Sequence, residues 1–178
     1  MINIFFHPLI PLDMGPLEYF AVLGRALFTA QHFETNCRAL AAYFSMRVSA
    51  MRERASVVET PAFRERLDRL WKQTLGRHIH DLQSIFAFPP EITQVFDAAL
   101  EARNEIAHWL TVGIDDHLDS EIDSRIAEIR MRVVKIAAAD KCVAVLLHAA
   151  NKDPLPASSY FSKYEETVAN WVCQPAFD

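Results

Sequence analysis

The chain has 178 residues, 51% of them apolar and 23% charged, with a formal charge of −5. That length suits one domain with a sizeable core, and the apolar share excludes a disordered chain. The acidic balance excludes a protein coated in basic surface for duplex binding, while leaving room for one local basic groove.

Four glycines, beside plentiful Ala, Leu, Glu and Arg, favour helix over sheet. The expected fold is an all-α antiparallel bundle of about five helices, two of them long, forming one domain over 1–178. Residues 1–13 read as a short irregular segment. Ile2 to Leu12 is apolar but broken by His7, Pro8 and Pro11, and it lacks the basic start and cleavage site of a signal peptide. The later apolar stretch 133–150 carries Lys135, Asp140, Lys141 and His148, so no membrane span is expected. Cys37, Cys142 and Cys173 are odd in number and lack metal-ligand spacing, which suggests reduced thiols in a cytoplasmic protein.

The first helix opens near Asp13 with Pro16 in its first turn. An apolar stripe at Phe20, Leu23, Leu27, Ala30, Phe33, Cys37, Leu40 and Phe44 carries it to about Ala50. Thr60-Pro61 starts the second, which Gly76 ends or bends and Pro89-Pro90 stops. The third runs from Glu91 to Gly113. An acidic connection, Asp115 to Asp119, leads to Ser120 as the N-cap of a long fourth helix, closed by Pro154 and Pro156. A last amphipathic segment spans Tyr160 to Trp171. The first and fourth helices, at about 30 residues each, would reach about 45 Å. A projecting pair of that length can bury its excess apolar face on a second copy, so a homodimer is expected.

Residues 103–108 read Arg-Asn-Glu-Ile-Ala-His within the third helix. Arginine suits phosphate geometrically, and histidine moves a proton near neutral pH. Asn104 and His108 are i and i+4 and share a face, whereas Arg103 lies about 140° from His108 around the axis. A second, looser pair, Arg25 and His32, has Ala26 after the arginine and no polar companion.

With Arg103, Asn104 and His108 at this spacing, the chain resembles the HEPN superfamily, all-helical domains with an Arg-x4–6-His motif and a polar residue after the arginine. The resemblance covers about residues 95–112. It implies RNA cleavage without a metal or other cofactor, in which His108 acts as general acid or base, Arg103 holds the phosphate and Asn104 orients them. The product end it implies is a 2′,3′-cyclic phosphate. It also implies, by analogy, a toxin or defence setting with an antitoxin or regulatory partner. Two alternatives stand beside it: a catalytically silent dimerisation or docking module, and a nucleotide-binding domain without hydrolysis. Arg103 would then pair with an acid on another helix.

The stretch 52–77 has a basic bias, and Arg64, Arg69 and Lys72 are candidates to follow an RNA backbone if it borders the Arg103 groove. His78, His80 and Asp81 have the wrong spacing for shared metal binding on a helix, and they read as a solvent-facing polar patch. Asp115, Asp116, His117 and Asp119 lack the glycine and closing glutamate of a calcium loop. No metal site is expected. Glu34 and His148 lie on the long helices, where spacing alone does not position them.

Overall fold

The computed structural model describes residues 14–53, 61–108, 118–155 and 157–175. Among these there are seven helices and no strand: α1 (Met14–Glu53), α2 (Pro61–Trp71), α3 (Leu75–Phe86), α4 (Pro90–His108), α5 (Leu118–Asn151), α6 (Ser158–Ser162) and α7 (Tyr164–Cys173). The all-α expectation therefore holds, with two segments divided further than periodicity suggested. No helix among the described residues is long and apolar enough to cross a membrane.

The long helices α1 and α5 pack along one another and organise the rest. Helices α4 and α7 lie against α5, and α3 lies against α1. Phe33, Cys37 and Leu40 of α1 meet a core shared with Phe96 and Ile106 of α4 and Ile129 and Val133 of α5. The stripe expected on α1 is buried at Leu23, Ala30, Phe33, Cys37 and Leu40, but Phe20 is 42% exposed while Tyr19 is fully buried. A stripe stepping in near-heptads drifts about 20° per heptad against a straight helix, so its far end leaves the core side.

The segment 61–86 is two helices, and Gly76 does not end the first. The break falls at Lys72–Thr74, where the Thr74 backbone is extended and its side chain accepts the Arg77 N–H at 3.4 Å. Threonine is a good N-cap, and the apolar spacing runs on through Leu75 and Ile79, which hides the cap from a periodicity reading. Helix α3 ends at Ala87, in the left-handed region (φ 47°), whose N–H donates to the Gln83 carbonyl at 2.9 Å. Helix α5 begins at Leu118, so Ser120 lies inside its first turn rather than at the cap. The C-terminal segment is likewise split at Lys163 into α6 and α7. Gly113 and the connection from Asp115 to His117 lie outside the described residues.

His78 corrects a second expectation. Helix α3 turns it into the interior, fully buried, while His80 stays exposed. Neither His78 ring nitrogen has a hydrogen-bond partner. Burial, reinforced by the nearby Arg38 cation, holds its imidazole below the usual histidine value. The unfolded chain therefore takes up this proton at a higher pH than the folded one. The stability that depends on neutral His78 is complete above about pH 6.5 and is lost as the pH falls below it. The unfolding free energy from urea titrations should drop between pH 7 and pH 5, by at most about 1.4 kcal/mol per pH unit for this one proton. A His78→Leu variant should show a flatter profile; an identical profile would refute the assignment.

Candidate active site

Helix α4 presents its motif on two adjoining faces. Ala99, Ala102 and Ile106 are buried against the bundle. Asp97, Glu101, Asn104 and His108 line the outer, exposed side. Arg103 sits between the two faces, half-buried, and reaches back to α1.

There its guanidinium meets Glu34. Nε and Nη2 of Arg103 both donate to Glu34 Oε2, at 3.1 and 2.6 Å. Glu34 Oε1 accepts from Arg38 Nη2 at 2.9 Å, and Arg38 in turn lies over the Trp71 ring, 5.3 Å from its centroid. Two guanidiniums thus share one carboxylate, so the trio keeps a net positive charge. Nη1 of Arg103 donates to Asn104 Oδ1 at 3.2 Å. Three of arginine's five N–H donors are engaged in this way, leaving two for an incoming oxygen.

Arg103 and Asn104 line an open cleft of about 380 Å³ together with Glu34, Leu100 and the segment Thr74–Gly76. That last segment is the start of α3, where the Leu75 and Gly76 N–H groups precede the first intrahelical bonds, which Arg77 and His78 make to the Thr74 carbonyl, and where the helix dipole has its positive end. A guanidinium, a carboxamide and a helix N-terminus around one space can hold an oxyanion such as phosphate.

His108 is not part of that cleft. It is exposed near the end of α4, five residues from Arg103, hence about 7.5 Å further along the axis and turned by about 140°. Asn104 links the two groups: it shares the outer face with His108 and accepts from Arg103. Within one chain the arginine and the asparagine converge on the cleft while the histidine stands beside it.

The basic candidates on α2 and just after it do not extend the cleft. Arg64, Arg69 and Lys72 are exposed, but α2–α3 contributes to the cleft wall only through Thr74, Leu75 and Gly76. Arg25, of the looser pair, donates from Nε to the Val172 carbonyl at 2.8 Å and from Nη2 to that of Gln174 at 2.5 Å. It closes the end of α7, which is a structural task. Among the described residues no three His, Cys, Asp or Glu side chains converge as metal ligands.

Thr74–Gly76 are site residues that sequence reasoning does not identify, and Glu34, named from the sequence as lying on a long helix, is positioned only by the structure. Glu34 is 69 positions from Arg103, and no local spacing connects them. Its importance is measurable. Glu34→Gln keeps the shape and removes the charge that two partly buried guanidiniums share, and should cost about 1–2 kcal/mol in urea denaturation. Arg77→Ala, which breaks the exposed Arg77–Asp81 pair, should cost less than about 0.5 kcal/mol. Equal losses from both variants would show that the trio has no special weight.

Compared with protein-family models, curated proteins and solved structures, the chain matches none.

Proposed function

We infer that the chain is an endoribonuclease of the HEPN type, cutting RNA through Arg103 and His108 without a metal ion. The observation that carries this reading is the cleft itself. An arginine with donors to spare, oriented by a buried-side carboxylate, stands beside an asparagine and a helix N-terminus in a space open to a phosphodiester. The Arg-Asn-x3-His pattern supplies the second half of the argument, a proton carrier on the same helix.

In the proposed reaction the ribose 2′-oxygen attacks phosphorus and the bond to the 5′-oxygen breaks. One imidazole either takes the 2′-hydroxyl proton while water protonates the leaving 5′-oxygen, or protonates that oxygen while water takes the 2′-hydroxyl proton. The ends are a 2′,3′-cyclic phosphate and a 5′-hydroxyl. Arg103 neutralises charge gathering on the phosphoryl oxygens. Because His108 stands outside the cleft of its own chain, the reading includes a homodimer in which the imidazole of one copy serves the Arg103 cleft of the other. A cytoplasmic setting, supported by three free cysteines, and an antitoxin or regulatory partner belong to the same proposal.

One observation favours a catalytically silent interaction module instead. Arg103 is already paired with Glu34, and a purely structural arginine would look the same. Mixing separates the two. Arg103→Ala and His108→Ala, each inactive alone, should regain about a quarter of the wild-type rate after subunit exchange, since one composite site in each mixed dimer is intact. The assay is run in EDTA on single-stranded RNA, with the product ends identified chemically. No cleavage by the wild type leaves the interaction module as the reading.

A further inference from the structure

A second cleft, of about 310 Å³, opens on the other side of α1. His32 and Asn36 form its α1 wall one turn apart, and Glu34 of the Arg103 cleft lies about 200° from His32 around the axis. Helix α5 contributes Asp140, Ala144 and His148, a stripe of successive turns, and the α6–α7 corner contributes Tyr160, Phe161 and Tyr164. None of these residues has a part in the proposed cleavage.

Asp140 is the centre of this cleft. It is only 8% exposed, unusual for a carboxylate without a cationic partner in hydrogen-bond contact. Asn36 Nδ2 donates to its Oδ1 at 3.1 Å and the Tyr164 hydroxyl to its Oδ2 at 2.5 Å. Burial first, then the Asp140 carboxylate, pushes the Tyr164 phenol far above its ordinary value, so its proton stays committed to that bond.

The consequence follows from counting what remains. Asn36 Nδ2 and the Tyr164 hydroxyl donate to the carboxylate, one to each oxygen, and each carboxylate oxygen keeps lone-pair capacity for a further donor. His148 Nδ1 is buried without a partner, and it accepts when the ring proton sits on Nε2. The walls are aromatic. Tyr160 is 56% exposed, with its ring centroid 5.8 Å from that of Tyr164 and 6.1 Å from that of Phe161. His32 stacks on Phe28 across the rim at 6.3 Å. A carboxylate without a cationic partner, beside aromatic faces, complements a positively charged donor.

We propose that this cleft binds an organic cation, an alkylammonium or guanidinium group, with Asp140 as counter-ion and Tyr160 as the cation–π wall. The group is carried either by a free polyamine-like molecule or by a lysine or arginine side chain of a partner protein. A metal ion is the poorer occupant, since no three ligating His, Cys, Asp or Glu side chains converge among the described residues.

Calorimetric titration at low ionic strength tests this with two probes, agmatine and the blocked peptide acetyl-Gly-Arg-Gly-amide. A citrulline peptide of the same length serves as the neutral control. Wild type should bind at least one cationic probe and not the control. Tyr160→Ala, at an exposed position that should not disturb folding, should weaken binding about 3- to 10-fold. Asp140→Asn should weaken it by about tenfold or more. Arg103→Ala should leave it unchanged, so the result stands apart from that for RNA cleavage. Tighter binding of the peptide assigns the cation to a partner's side chain; tighter binding of agmatine assigns it to a free amine. The proposal is overturned if folded wild type binds neither cation, if citrulline binds equally well, or if Tyr160→Ala is without effect. Should Asp140→Asn fail to fold, Tyr160→Ala and the citrulline control decide.

Discussion

His108→Ala and Arg103→Ala are each expected to lower RNA cleavage by about a hundredfold to ten-thousandfold, without loss of helical circular dichroism. His108 is exposed, so its removal creates no cavity. A defect in His108→Ala would therefore be chemical. Arg103→Lys is the sharper variant. A lysine keeps the charge but offers a point donor where the guanidinium reaches Glu34 through two nitrogens and Asn104 through a third. It should recover little of the lost rate. Initial rates in EDTA on a single-stranded substrate measure all three variants. Undiminished cleavage by His108→Ala would remove the imidazole from the reaction and with it the proposed mechanism.

The largest stability effect is expected at Phe96→Ala, about 3–5 kcal/mol by urea denaturation. Phe96 is fully buried and ends an aromatic ladder that ties α1, α3 and α4 together. Its ring stacks on Phe88 at 5.4 Å and 8°, Phe88 stacks on Phe86 at 5.4 Å and 7°, and Phe86 meets Phe44 edge-on at 4.7 Å. Removing Phe96 leaves a ring-sized void and frees one face of Phe88, which the backbone turn at Ala87–Pro90 holds in place. Phe28→Ala, at a position 60% exposed, should cost less than about 1 kcal/mol. Similar losses at the two positions would mean that the ladder does not bear on the core.

Several features of the bundle were legible in the residues alone. Helix starts and stops written in proline were read correctly: Pro61 opens α2, and Pro89-Pro90 separates α3 from α4. Proline acts through its own ring, so its signal is local and survives any tertiary context. The sequence places an end or bend at Gly76 rather than the break at Thr74, because a threonine cap is one of many possible roles for that residue and the apolar rhythm passes over it. The displaced burial at Tyr19 and Phe20 has a similar origin. A small angular error per turn, harmless over three turns, becomes a wrong face over a helix of 40 residues.

For the candidate site the division follows sequence distance. Arg103, Asn104 and His108 could be read together because five consecutive steps along one helix fix their relative angle and rise, whatever surrounds them. The partners of Arg103 could not. Glu34 and the start of α3 reach the cleft only because α1 lies against α3 and α4. The same packing places Asp140 beside Asn36, 104 residues away, and makes a cleft from side chains that have no common motif. The amino-acid order alone thus determined a helical chain and the angular layout of one short motif, both set by interactions within a few residues. Which carboxylate holds the arginine, and that the histidine stands outside the cleft, were decided only by tertiary packing, because helix-to-helix orientation depends on contacts between residues far apart in the chain.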